Sequence, residues 1–334
     1  MSETPLSFID FLDAYGEAHP PAMVYDGRED FAGWQQRFRR CIRELMGPVP
    51  ERIEPGAEVL ETVEAEGHAR SLLRIPVSRF STLVAYLLVP AGIEPGQRRA
   101  GLVASHGHAA RGIDAVCGLD GDGPGAYGLA AVRAGYVVLA PAWWGWRGRD
   151  GHVDRVGRRD KCNVIQTAAA MYGLNVLALH VQDGQAALDV LAARPEVDPA
   201  RLGCMGNSYG GRTTMWLAAL DDRVRAAVAG GCMNTFRERS LKLSSCGIQY
   251  PFGLLRHGDV PQVFSLLAPR ALQLQAGRED GLITPADRDA MAVLLRQAYA
   301  LLGAEERFDY QLHPRGHVLD WERAEAFLNR HLAP

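Results

Sequence analysis

A serine set among glycines, Gly206-Asn207-Ser208-Tyr209-Gly210 with Gly211 directly after, constrains this chain more than any other feature. The run before it, Arg201-Leu202-Gly203-Cys204-Met205, is short and mostly apolar, as a buried strand is. The run after it, Thr213 to Leu220, reads as a buried helix. G-x-S-x-G between a strand and a helix predicts a sharp turn that lifts the serine hydroxyl clear of a sheet. Glycine is needed on either side because a Cβ there would strike the neighbouring strand or helix. The three fixed letters alone are a weak signal. Their flanks make Ser208 the candidate nucleophile and demand a sheet whose strands feed helices.

Hydrophobic periodicity around the turn supplies such a sheet. Strand patterns cover Val59 to Val63, Leu73 to Ile75 and Leu83 to Val89, then Gly101 to Ser105, Tyr136 to Ala140 and Leu202 to Met205. Three more cover Ala226 to Ala229, Ala271 to Gln275 and Phe308 to Leu312. Helical patterns lie between them near Tyr127 to Ala134, Asn175 to Ala193, Arg212 to Leu220, Pro285 to Leu302 and Trp321 to Leu332. This alternation predicts an α/β class, doubly wound, with a mostly parallel sheet, helices on both faces and antiparallel strands in front. Upstream, Leu6 to Met46 reads as largely helical. Phe8, Phe11 and Leu12 mark one apolar turn; Trp34, Phe38, Cys41, Ile42 and Leu45 mark a second face, closed by Gly47-Pro48. The expected organisation is an N-terminal helical extension over 1–55 and an α/β domain over 56–334. Two excursions, near 146–173 and 233–267, are candidate walls or lids over a site, with surface decoration as the alternative.

Composition excludes more than it proposes. The 334 residues are 47% hydrophobic and 22% charged, enough for a sizeable core, and carry no linker, repeat or low-complexity tract. A net charge of −3 gives no electrostatic footprint for nucleic acid or an anionic membrane. Met1-Ser2-Glu3-Thr4-Pro5 has neither a basic n-region nor a continuous apolar stretch, so a cytoplasmic protein is expected. Six cysteines, at 41, 117, 162, 204, 232 and 246, contain no C-x-x-C pair and read as reduced thiols, mostly packing.

A serine hydroxyl needs a base within hydrogen-bond reach and a third group to orient that base. Both follow Ser208 in the order serine, acid, histidine. Asp280, in the loop after the Ala271 strand, is the candidate acid, ahead of Glu279 beside it and Asp287 on the next helix. His317 is the candidate base. It lies in a loop before a helix that Asp320 can cap, whereas its competitor His313 sits at the strand end before a proline. A tetrahedral intermediate needs two donors at its oxyanion. The backbone N–H groups of Tyr209 and of His108, in His106-Gly107-His108, are the expected pair. His19, His68, His152, His180, His257 and His331 read as surface or packing residues. No ligand set with zinc-site spacing accompanies His106 and His108, so no metal is expected. Gly123-Pro124-Gly125-Ala126-Tyr127-Gly128 matches G-x-G-x-x-G but follows no strand directly, and no acidic residue ends the next one. It reads as a loop running into a helix, and no cofactor is expected.

From about Val59 onward these residues resemble the α/β-hydrolase superfamily, particularly its dienelactone-hydrolase-like and acetyl xylan esterase-like members. The resemblance rests on His106-Gly107-His108, Gly135 to Pro141, Arg194 to Pro199, Gly206 to Gly211, Gly277 to Asp280 and Gly316-His317. It implies a cofactor-independent serine hydrolase acting on small carboxylic esters. Dienelactone hydrolases themselves use cysteine as nucleophile, so Ser208 departs from that reaction. Trp143-Trp144-Gly145-Trp146 follows a strand where related enzymes build part of their pocket, and core packing is an equal reading. A peptidase or amidase with the same triad is the alternative within enzymes. A non-catalytic binding protein with the same fold is the alternative outside them, although no triad member is missing.

Overall fold

The computed structural model describes residues 7–54, 56–109, 111–149, 161–241 and 245–333. Its strands are β1 (Glu58–Ala65), β2 (His68–Ser78), β3 (Ser81–Pro90), β4 (Arg99–Ser105), β5 (Val137–Pro141), β6 (Val197–Asn207), β7 (Val224–Gly230), β8 (Ala271–Gly277) and β9 (Phe308–His313). They form one sheet in the order β1-β2-β3-β5-β4-β6-β7-β8-β9. The first three pair antiparallel, β3 joins β5 antiparallel, and every pairing from β5 to β9 is parallel. The sheet is therefore mostly parallel with an antiparallel flank, as the periodicity predicts.

Strand order also places a crevice. β4 has β5 on one side and β6 on the other, so the chain reverses its direction of growth there, and ligands of open α/β sheets bind beside such reversals at the strands' C-terminal ends. Ser105, ending β4, pairs with Gly206, and Asn207, ending β6, pairs with Gly230. The loops after these strands leave the sheet side by side.

The helices are α1 (Phe8–Ala18), α2 (Phe31–Met46), α3 (Ile113–Val116), α4 (Tyr127–Arg133), α5 (Lys161–Ala170), α6 (Val176–Ala192), α7 (Tyr209–Leu220), α8 (Phe236–Leu241), α9 (Val260–Ser265), α10 (Pro285–Ala300) and α11 (Trp321–His331). One core cluster holds side chains of α2, α6, α7, α9 and α10; a second, on the other face, holds those of α3, α4 and α11. No helix among the described residues is long and apolar enough to cross a membrane.

The two N-terminal helices differ. Asp30 caps α2 by accepting from Gly33 N at 2.8 Å, and Trp34, Phe38 and Ile42 are completely buried in the main core. Each such side chain stabilises by about 2 kcal/mol, so this face docks firmly. Gln35 Nε2 adds hydrogen bonds to the carbonyls of Ser265 at 2.7 Å and Ala268 at 2.8 Å. Cys41 and Leu45, expected on the same face, are only partly covered. α1 buries no residue, and the expected apolar turn leaves Phe8 and Phe11 exposed. The first excursion contains α5, the second α8 and α9; residues 150–160 and 242–244 of these excursions, and His152 with them, lie outside the described residues.

Candidate active site

The turn after β6 is strained. Ser208 has φ 61° and ψ −121°, a backbone conformation that costs a non-glycine residue about 1–3 kcal/mol. It is held from both sides: Ser208 N–H donates to Gly230 O at 2.8 Å, and Ser208 C=O accepts from Arg212 N at 3.1 Å. The glycine requirement has a physical source. A Cβ on Gly210 would collide with the Ser105 carbonyl, and one on Gly206 with the Gly210 carbonyl. Tyr209 opens α7, so its N–H has no carbonyl one turn back to bond.

Asp280 and His317 come from the loops after β8 and β9. Asp280 is buried, and its Oδ2 accepts from His317 Nδ1 at 2.7 Å while its Oδ1 accepts from Leu282 N at 2.9 Å. His317 Nε2 is buried and has no hydrogen-bond partner. His317 and Ser208 line one cavity of about 780 Å³, within the range of small-molecule sites. A second cavity of about 600 Å³, beside Tyr25 and α10, contains no histidine or cysteine.

The rival residues do other work. Glu279 is exposed, and Asp287 accepts from Thr235 N–H. His313 is buried and bonds through Nε2 to Val318 O at 3.0 Å. One expectation fails: Asp320 occupies the N-cap of α11 without a side-chain cap bond. Its carboxylate pairs instead with Arg315 at 2.8 Å and Arg323 at 3.3 Å, which anchors the loop carrying His317.

Residues 106–108 cross directly beside the turn at Ser208. A Cβ on Gly107 would sit 3.0 Å from Asn207 O and 3.4 Å from Ser208 Cβ, and His108 lines the cavity. His106 is wholly buried. Its Nε2 accepts from Trp143 N at 3.1 Å and its Nδ1 bonds Gly107 O at 2.8 Å, which fixes a neutral ring protonated at Nδ1. Burial pushes this imidazole down to about 3, assisted by His108 and Lys161 and opposed by the Gly107 carbonyl.

The tryptophans after β5 form the wall behind this loop. Trp143 and Trp146 are buried in a cluster with Tyr209, and the cavity lining includes neither, so of the two readings packing holds. His180 on α6, read from sequence as surface or packing, is a buried bridge. Its Nε2 accepts from Trp144 N at 3.1 Å and its Nδ1 hydrogen-bonds the Tyr209 hydroxyl. The segment is locked further by Arg149, which donates to Asp183 at 2.6 Å and lies 3.9 Å over the Trp144 ring.

A second cluster has no spacing signal in the chain. His108, Cys162 and Cys246 bring one imidazole nitrogen and two sulfurs within 4.8 Å of one another, at the edge of the same cavity. Hydrogen bonding from Cys162, against the opposing effect of burial and with further help from His108, brings the Cys246 thiol down to about 5. Cys117, Cys204 and Cys232 are buried as expected, and no cysteine among the described residues forms a disulfide.

Residues 126–238, spanning the Ser208 turn, match the family model described as the dienelactone hydrolase family. An inferred hydrolase of Bacillus subtilis, YtaP, is 28% identical over 286 residues, covering 84% of this chain and 92% of that protein. Among solved structures, an inferred acetyl xylan esterase from Bacteroides fragilis superposes with a TM-score of 0.75 at 17% identity, over 92% of this chain and 82% of the other. A glucuronoyl esterase from Solibacter usitatus gives 0.65 at 16% identity, over 94% and 99%. Acetyl xylan esterase 1 from a Thermoanaerobacterium species gives 0.54 at 21%, over 96% and 98%. The sheet order and the serine turn between β6 and α7 give the chain an α/β-hydrolase fold, which these solved structures share, and residues 126–238 are similar to the dienelactone hydrolase family.

Proposed function

We propose that this protein is a serine hydrolase that cleaves carboxylic esters through an acyl-enzyme. One observation carries the reading: the Asp280–His317 hydrogen bond leaves His317 Nε2 without a partner at the cavity that Ser208 also lines. Ser208 Oγ attacks the ester carbonyl while His317 Nε2 takes its proton. Asp280 holds the ring so that Nε2 carries the lone pair, and steadies the imidazolium once it forms. The N–H groups of Tyr209 and His108 donate to the oxyanion, a contribution of about 3 kcal/mol for each well-aimed donor. His317 then returns the proton to the leaving alcohol. Water, deprotonated by the same nitrogen, releases the acid and restores Ser208.

The activities for which the structural neighbours are named, acetyl xylan and glucuronoyl esterases, favour esters and make carbohydrate esters the first substrates to try. The test is intact mass after exposure to a fluorophosphonate, for the native chain and for Ser208→Ala. One adduct on the native protein and none on the variant is expected. A folded native protein that takes no adduct overturns the mechanism. Matched ester and amide substrates follow, and equal turnover of the amide would sink the ester assignment.

A further inference from the structure

Three segments remote in sequence bring soft ligand atoms together at the rim of the cavity. His108 comes from the loop after β4, Cys162 from the first turn of α5, and Cys246 from the residue before a 3-10 turn at Gly247–Gln249. His108 Nε2 lies 3.2 Å from Cys246 Sγ, across 138 positions of sequence. All three candidate ligand atoms fall within 4.8 Å of one another. Both cysteines are buried, while His108 is exposed at the rim.

This spacing suits a metal cage. Zinc bonds of about 2.3 Å to sulfur and about 2.0 Å to nitrogen, set tetrahedrally, hold ligand atoms roughly 3.5–3.8 Å apart. The observed separations reach that arrangement by shifts of about 1 Å or less at side-chain ends. Two thiolates would neutralise a divalent ion, with a neutral imidazole as third donor. The set contains no carboxylate, so it selects against magnesium and calcium and for a zinc-class ion.

The surroundings are built around the sulfur rather than merely near it. Gln249 Nε2 donates to Cys246 Sγ at 3.4 Å, as an outer partner of a ligating thiolate does. Gly247 N–H donates to Asn163 Oδ1 at 2.8 Å, which stitches the residue after Cys246 to the residue after Cys162. Gln166, one turn further along α5, accepts from Val176 N at 3.1 Å and fixes that helix against α6. A pair of packed thiols needs none of these, and a disulfide would leave the imidazole contact without a role.

We propose that His108, Cys162 and Cys246 form a Cys₂His site for one zinc-class divalent ion, with its fourth coordination position open to the cavity that holds Ser208. The route for the ion is the cavity itself, since His108 and Cys246 both line it. A bound ion would clamp the loop after β4, α5 and the segment before Gly247 into one wall. On the proposed ester mechanism this also fixes the residue whose N–H is the second oxyanion donor, although ion binding does not depend on that mechanism.

The test uses the full chain, purified under reducing conditions and stripped by a chelator, titrated separately with Zn²⁺ and Co²⁺. One equivalent should bind, read by metal content and by a sulfur-to-cobalt charge-transfer band. Zn²⁺ should shield two thiols from alkylation in the unaltered protein, a readout that needs no variant. Cys162→Ser and Cys246→Ser should each weaken binding at least about 100-fold, and His108→Ala at least about tenfold. Ser208→Ala should bind as the native chain does, which separates this result from any failure of the hydrolase mechanism. Three results would overturn the site. One is a reduced native chain that takes up no ion. Another is binding that survives in the Cys162→Ser/Cys246→Ser double variant. The third is a Cys162–Cys246 disulfide whose reduced form leaves both thiols unshielded.

Discussion

His106 gives the prediction with the most calculable size. Its ring is completely buried and accepts from Trp143 N, so protonation would remove an acceptor and place a charge where water cannot follow. Burial holds the folded imidazole down to about 3, against an ordinary 6.5. Below pH 6.5 the unfolded chain therefore binds a proton that the folded chain refuses, and stability falls as pH drops toward 3. Above 6.5 both states are neutral and the contribution is flat. The loss at pH 5 is about 2 kcal/mol, rising to roughly 5 kcal/mol once pH passes below the folded value. Other groups titrate in the same window, so the comparison is with His106→Gln, whose amide oxygen can accept from Trp143 N but takes up no proton. Urea unfolding of both proteins at pH 7, 6 and 5 isolates the term. The native chain should lose about 2 kcal/mol relative to the variant between pH 7 and 5. A difference that stays constant across that range refutes the claim that burial keeps this ring neutral.

Three further outcomes follow from the same geometry. Ser208→Gly should be about 1–2 kcal/mol more stable than Ser208→Ala in urea, because only glycine relaxes the strained φ of 61°; equal stabilities would show that the turn stores no strain. Asp280→Asn should lower ester kcat by about 10⁴-fold with the fold unchanged, since an amide at that position favours the wrong tautomer of His317; a loss under tenfold would remove Asp280 from the mechanism. Gly210→Ala should destabilise by about 3 kcal/mol in the same urea assay, because its Cβ meets the Ser105 carbonyl, which sits in a sheet and cannot retreat; a neutral result would mean that the loop after β4 and α7 pack less closely than described.

Legibility from sequence divides along physical lines. The strands carry their own period and end in turn residues, so all nine were readable without knowledge of their neighbours. The meeting of Asp280 and His317 was readable because each follows a strand, and parallel strands deliver their following loops to one edge. What failed depended on partners that periodicity does not encode. The apolar turn of α1 is real, but a helical stripe says nothing about whether anything covers it. Asp320 had the right place for a cap and was drawn to Arg315 instead. Cys162 and Cys246 were scattered thiols in the chain, and only α5 and the Gly247–Gln249 turn packing together bring them to His108.

The two buried imidazoles point to where the site's rigidity resides. His106 from the β4 loop and His180 from α6 accept from consecutive backbone N–H groups, those of Trp143 and Trp144. Each ring spends its other nitrogen on the side of the Ser208 cavity, His106 on the Gly107 carbonyl and His180 on the Tyr209 hydroxyl. An asparagine could accept one of these bonds but could not span both partners through a rigid ring. The wall behind β5 is thereby tied at one end to the loop carrying His108 and at the other to the residue following Ser208. Burial holds both rings well below the ordinary histidine value, so both connections require the neutral form. Acid should therefore loosen the cavity through its supports. Comparing the acid limb of ester hydrolysis with the pH at which the backbone amide NMR signals of Trp143 and Trp144 shift would test this, because those N–H groups are the donors to the two rings. Coincident changes would assign the limb to the wall, and activity lost before either signal moves would refute that assignment.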